Sequence, residues 1–176
     1  PSTVILTPHA GELAALLAAR GEAMTREDIS AAPARAARLA ATLTGATVVL
    51  KGATDVVCGP DDPLYAQPGA PAWRATAGAG DVLAGLLGAL LAGWGDELAE
   101  LGKGRGIPAR LAAAACYLHG RAAAIASGTI HTTITETSTM GTSVGGSAPD
   151  GHVCGRPIRA TEIAAAIPTA IAESLN

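Results

Sequence analysis

The sequence contains no phenylalanine, and its two tryptophans and two tyrosines make aromatics only 2% of 176 residues. A core centred on large rings is excluded. Ala, Leu, Val and Ile must fill it, which requires helices packed closely on small faces. Apolar residues still reach 49%, too many for a disordered chain, and the length suits one domain with a real core. Cysteine is scarce: Cys58, Cys116 and Cys154 are far apart, odd in number and without metal-ligand spacing. That excludes a disulfide framework and fits reduced thiols in a cytoplasmic setting. Charge is also sparse, 15% with a net of −3 and the signs mixed. A nucleic-acid partner, which needs a basic stripe, is excluded. The longest apolar run, Val82 to Trp94, falls short of the ~18 residues that suggest a membrane span, so no membrane partner is expected. The opening, PSTVILTPHAGE, has no signal-peptide shape. It enters a strand almost at once, which leads us to expect preceding sequence.

What is present is organised around Ala75–Trp94, ATAGAGDVLAGLLGALLAGW. The loop Thr76-Ala77-Gly78-Ala79-Gly80 runs into Asp81 and then into a buried apolar helix. Glycines before a helix let the backbone approach an anion closely. The free N–H groups and the positive end of the helix dipole favour phosphate there. An acid at that mouth suits a base that takes a proton from a hydroxyl attacking the phosphate. It equally suits an N-cap, and the motif alone leaves both readings of Asp81 open.

Earlier in the chain, Ser2–Leu6 reads as a short buried strand ended by Pro8. A helix over Leu13–Ala19 follows, with His9 and Glu12 on the rim where open α/β sheets place ligands. A loop histidine bonding a backbone carbonyl, and a first-turn acid complementing the dipole, are the plainer readings of these two. Thr25–Asp28 has the form of a capping box. Pro33 opens a helix that Gly45 stops. Thr47–Leu50 is a second buried strand ending in Lys51-Gly52, where a cation reaches a bound phosphate or simply meets solvent. Asp55–Cys58 and Leu64–Ala66 form an antiparallel hairpin. Trp73 stands just before the glycine loop, over a ligand or under the loop. Ala109–Ile125 is an alanine-rich helix containing a structural His119 and a Gly120 packed tightly against another backbone. Lys103, Arg105, His131 and His152 read as solvated or isolated. Residues 127–156 form a flexible Ser/Thr/Gly-rich excursion with an edge hairpin near Ile130–Ile134. A last helix, Ala160–Ile171, is capped by Thr161, buries Ile163, Ile167 and Ile171, and is kinked or shortened by Pro168.

Three segments then line up: Leu6-Thr7-Pro8-His9-Ala10-Gly11-Glu12, Val49-Leu50-Lys51-Gly52-Ala53 and Ala75–Gly85. Together with Leu118-His119-Gly120 and the ending Arg159–Pro168, they resemble the ADP-dependent NAD(P)H-hydrate dehydratase family. The glycine-rich segment alone is shared with many ribokinase-like kinases. TPHxGE combined with LKGA and GAGDVLAG is far more specific.

The resemblance implies a three-layer αβα ribokinase-like fold with a mostly parallel sheet. Residues 1–176 would be the C-terminal portion of one such domain, N-terminally truncated. It implies ADP-dependent dehydration of hydrated NADH or NADPH to the reduced cofactor, AMP and phosphate. By position, Asp81 would bind the hydrate and deprotonate its hydroxyl, and His9 would contact the hydrated cofactor. Lys51, Gly52, Ala53, Thr54 and Asp55 would form the AMP-side loop. Gly80 would hold the nucleotide phosphate, and Gly78 would shape the anion hole. Mg²⁺ would bridge the phosphates, without assigned protein ligands, and relatives' assembly suggests a homo-oligomer.

Two departures stand out. Asp55 occupies a position where the family usually has Thr, and the family's strands before TPHxGE are absent. Two other functions therefore stay in view: a ribokinase-like vitamin-precursor kinase, and a non-catalytic nucleotide-binding module.

Overall fold

The computed structural model describes residues 4–94, 106–129 and 155–175. Strands β1 (Ile5–Leu6), β2 (Thr47–Leu50), β3 (Asp55–Cys58) and β4 (Tyr65–Gln67) form one sheet in the order β1-β2-β3-β4. β1 and β2 are parallel, with Ile5 opposite Thr47 and Leu6 opposite Val48. β2, β3 and β4 are antiparallel neighbours. Where a mostly parallel sheet was expected, the described residues therefore form a mixed one. Parallel pairing needs a long crossover, and only β1 and β2 have one, through α1 (Ala10–Ala18), α2 (Arg26–Ala31) and α3 (Pro33–Thr44). The later strands follow through short connections and can only return antiparallel, as the hairpin pattern indicated.

The sheet separates two helical layers because alternate side chains of a strand point to opposite faces. Val48, Leu50, Val56 and Cys58 face α1–α3 and pack with Leu13, Leu17, Ile29 and four buried alanines of α3. Val49 and Val57 face the other way, onto Leu83, Leu86 and Leu87 of α4 (Ala79–Gly93) and Ala112, Ala115 and Cys116 of α5 (Ile107–Ser127). Helix α6 (Ala160–Ser174) lies on α4 and α5 through Ile163, Ala166 and Ala170. The alanine-rich contacts are what a chain without phenylalanine needs: small faces bring helix axes close. At Gly120 a Cβ would stand 3.3 Å from Ala70 Cβ, the tight approach expected of that glycine.

Local signals set most boundaries. Thr25 accepts from the Asp28 backbone N–H at 3.1 Å while Asp28 bonds back, completing the capping box. Pro33 opens α3, and Gly45 ends it at φ 69°.

Three expectations change. Val4 is 39% exposed and Ile5 and Leu6 are half-buried, so the first strand is not a buried one. Among the described residues it lies at the sheet's edge. Helix α6 is capped by Arg159 with Glu162, not by Thr161. It runs through Pro168 to Ser174. Pro168 has no N–H to offer the Ala164 carbonyl, and both residues are exposed to solvent. The buried stripe of α6 is Ile163, Ala166 and Ala170, with Ile167 half-buried against the same cluster, as expected, and Ile171 38% exposed.

The ends of the expected excursion are tied together. The Arg156 backbone N–H donates to the Ser127 carbonyl at 2.9 Å, and a Cβ on Gly155 would meet that carbonyl at 2.7 Å. The expected hairpin, His131, His152 and Cys154 lie outside the described residues, as do Lys103 and Arg105. Among the described residues no helix is long and apolar enough to cross a membrane.

Candidate active site

Parallel pairing of β1 and β2 releases two loops side by side at the carboxyl ends of the strands. A parallel bridge between His9 and Lys51 extends the pairing into those loops, and the Lys51 N–H donates to the Pro8 carbonyl at 2.9 Å. His9 is the N-cap of α1. Its Nδ1 accepts from the Glu12 N–H at 3.1 Å, and Glu12 Oε2 accepts from the His9 N–H at 2.7 Å. This is a capping box with an imidazole in the usual hydroxyl position. With Nδ1 accepting, a neutral ring carries its proton on Nε2, 3.6 Å from Glu12 Oε1. The His9 backbone N–H holds the Glu12 carboxyl below the usual carboxylate range, and the nearby His9 ring and Lys51 add to this.

Lys51 joins these loops to the glycine-rich segment. Its Nζ lies 3.9 Å from Glu12 Oε2 and 3.5 Å from the point where a Cβ on Gly80 would stand. Gly80 is the second residue of α4, whose N-cap is Gly78 at φ 85°. A helix start leaves its first N–H groups short of partners; here Ala79 and Asp81 donate to the Thr76 and Gly78 carbonyls, each at 3.1 Å, and the Gly80 N–H is the group left for a ligand. The positive end of α4 and the Lys51 ammonium therefore face the same space, a combination suited to an anion. The N-cap reading of Asp81 fails, because Gly78 holds that position. Asp81 sits in the first turn, with its N–H on the Gly78 carbonyl at 3.1 Å, and its side chain is exposed.

These elements surround a cavity of about 720 Å³. His9, Lys51, Gly52, Ala53, Asp55 and Gly80 are in its wall, joined by Arg74, Thr76, Ala79, Leu83 and His119. Thr54, Gly78 and Asp81 adjoin it in the chain without lining it. Thr54 is exposed, and its carbonyl closes the tight turn at Gly52, 3.2 Å from where a Cβ would be. Trp73, 40% exposed, lines a smaller neighbouring hollow with Thr76 and Ile158.

Asp55 is fully buried and ion-paired to Arg74. Its Oδ1 accepts from the Gly52 N–H at 3.1 Å and from Arg74 Nη2 at 3.1 Å. Arg74 Nη2 also donates to the Gly52 carbonyl at 2.8 Å. The acid in place of the family's usual Thr thus points inward, onto a cation. Below it lies His119, 3% exposed, with neither ring nitrogen hydrogen-bonded among the described residues. Burial, and secondarily Arg74, pushes the His119 pKa down to about 4, so the ring is neutral near pH 7. Burial likewise pushes the Cys116 thiol up to about 12. Sequence reasoning missed Arg74. The one available signal was a lone cation in the run Ala70-Pro71-Ala72-Trp73-Arg74-Ala75, otherwise without charge.

A family model described as NAD(P)H-hydrate dehydratase matches residues 1–143, a stretch that includes every segment of this site. The chain belongs to the NAD(P)H-hydrate dehydratase family. Among curated members, it is 40% identical over 121 residues to the ADP-dependent (S)-NAD(P)H-hydrate dehydratase of Neisseria meningitidis serogroup B, spanning 68% of this chain and 35% of that protein. It is 46% identical over 88 residues to the bifunctional NAD(P)H-hydrate repair enzyme Nnr of Mycobacterium tuberculosis, spanning 50% of this chain and 17% of that one. The fold matches the ADP/ATP-dependent NAD(P)H-hydrate dehydratase of Bacillus subtilis co-crystallized with ATP/Mg²⁺, with a TM-score of 0.65 at 23% identity. That match covers 97% of this chain and 47% of its counterpart and shows the ribokinase-like fold. The chain thus spans about half the length of this solved dehydratase and about a third or less of the two curated ones.

Proposed function

We propose that the chain carries the catalytic half of an ADP-dependent NAD(P)H-hydrate dehydratase, which returns hydrated NADH or NADPH to the reduced cofactor with release of AMP and phosphate. The observation that carries this reading is the convergence of His9, Lys51 and Gly80 on one cavity, with Asp81 one residue further along the helix mouth. Hydroxide is a poor leaving group and phosphate a good one. The reaction therefore needs a site that grips a phosphoryl group while a base strips the attacking hydroxyl.

Lys51 and the N-terminus of α4 hold the terminal phosphate of ADP. Asp81 takes the proton from the hydrate's hydroxyl as its oxygen attacks that phosphorus, and the bond to AMP breaks. Departure of phosphate from the phosphorylated hydrate, with loss of a proton from the adjacent ring carbon, then forms the double bond of the reduced ring. His9, fixed by Glu12, contacts the hydrated cofactor. Gly52, Ala53 and Thr54 form the AMP-side loop with Asp55 as its internal brace, and Gly78 shapes the anion hole. Mg²⁺, to which no side chain is assigned here, would come with the nucleotide's phosphates and would supply charge neutralisation.

Residues 1–176 act in this reading as the C-terminal portion of one ribokinase-like domain, in the cytoplasm, where the buried thiols of Cys58 and Cys116 stay reduced. Assembly into a homo-oligomer would cover the β1 edge. Mixing the chain with hydrated NADH and ADP–Mg²⁺ should restore the absorbance of the reduced nicotinamide. Asp81→Ala should keep ADP binding and lose about 10²–10⁴ in turnover. Binding without turnover in the unmodified chain would instead mark a nucleotide-binding module, and a stable phosphorylated product would mark a kinase.

A further inference from the structure

Arg74, the partner of the loop's internal brace Asp55, has no role assigned above, yet the pair lies in the wall of the cavity beside the turn that carries Lys51. Both polar groups of the Gly52 backbone are committed to it. The N–H goes to Asp55 Oδ1 at 3.1 Å, and the carbonyl accepts from Arg74 Nη2 at 2.8 Å. Arg74 also bridges both oxygens of Asp55. Arg74 closes the short 3₁₀ turn Ala72–Arg74, two residues before Thr76 in the glycine-rich loop. The guanidinium thus fastens the loop after β2 to the segment that opens α4. It does so with buried charges, Asp55 at 0% and the Arg74 side chain at 12% exposure. A planar fork meets two carboxylate oxygens in parallel with a carbonyl beside them, a fixed geometry that a point-like ammonium does not supply.

We propose that Arg74 is a positioning residue for the nucleotide: through Asp55 and the Gly52 backbone it sets the distance between Lys51 and the N-terminus of α4. The proposal rests on the reading that these two elements grip the nucleotide phosphates. It explains why an acid is tolerated at position 55. Asp55 folds the loop from inside, and Arg74 cancels its charge before any phosphate meets it. The neutral His119 ring below adds no competing cation near pH 7.

Calorimetric titration of ADP–Mg²⁺ into the unmodified chain and three variants tests this, with thermal unfolding recorded for each. Arg74→Lys keeps the charge and loses the fork. Asp55→Asn leaves the arginine free. The pair Asp55→Asn with Arg74→Gln removes both charges, so that no buried ion is stranded. The latch predicts ADP affinity lower by about tenfold to a hundredfold in all three. It also predicts that the neutral pair unfolds at nearly the same temperature as the unmodified chain, and that in active variants the KM for the hydrate stays nearly constant while the KM for ADP rises.

Unchanged ADP affinity in a folded Arg74→Lys or in the neutral pair would overturn the latch alone. Unchanged or tighter binding in Asp55→Asn would also overturn it, and would make Arg74 a direct phosphate ligand. No ADP binding by the unmodified chain would overturn the nucleotide reading itself, and the latch with it.

Discussion

His119 shows what a single buried group imposes on this fold. The ring is neutral because water is excluded and Arg74 stands near, and its pKa in the folded chain is about 4 against an ordinary 6.5. As pH falls, the unfolded chain takes the proton first, so stability is full above about pH 6.5 and declines as the pH falls toward 4. At about 1.4 kcal/mol per pH interval, the loss approaches about 3 kcal/mol. Urea midpoints at pH 7 and pH 5 should differ more for the natural chain than for His119→Phe, which has nothing there to titrate. Asp55 carries a different lesson. Its charge was plain in the sequence, beside a position proposed to meet phosphate. Its partner was not, because Arg74 lies 19 residues on and approaches only after the β3–β4 hairpin has returned the chain. His9 was legible as a rim residue. Its N-cap role was not, since imidazole is not among the usual capping side chains.

Helix ends account for most of what was readable between residues and most of what was misread. Capping boxes, Pro33 and Gly45 fall where their chemistry requires. The start of α4 does not follow the Asp81 signal, because Gly78 at φ 85° takes the cap and moves the acid into the first turn. A Cβ on Gly78 would also stand 3.2 Å from Ala160 Cβ. Gly78→Ala should therefore cost about 1–2 kcal/mol from the left-handed backbone alone and push α6 outward. The expected outcome is a lower urea midpoint together with weaker ADP binding. At the other end of the chain, Pro168 sits inside α6 without ending it. Alanine there restores one intrahelical bond and relieves the ring's clash. Pro168→Ala should raise stability by about 1–3 kcal/mol, within the difference between the two residues in a helix, read as a higher thermal midpoint.

The molecule as a whole places its site where two layers meet. His9 and Lys51 come from loops on the α1–α3 side, and Gly80 from the helix covering the other face of the sheet. A nucleotide held between them would bridge both layers and bind only the folded chain. ADP–Mg²⁺ at a hundred times its Kd should then stabilise the chain by about 2.7 kcal/mol. Thermal unfolding with and without nucleotide checks this, and AMP alone, lacking the terminal phosphate, should stabilise less. The sequence by itself determined the order of strands and helices, through apolar runs and helix stripes, and its resemblance to a known family implied the αβα layering. It also determined the family and pointed to the segments that line the cavity, since these are patterns of neighbouring residues. Only the tertiary structure decided that Asp81 stands exposed and outside the cavity's wall, and that Asp55 turns inward onto Arg74. Each of these depends on which distant segments the packed core brings within hydrogen-bonding range. That range is a few ångströms in space, and no spacing along the chain encodes it.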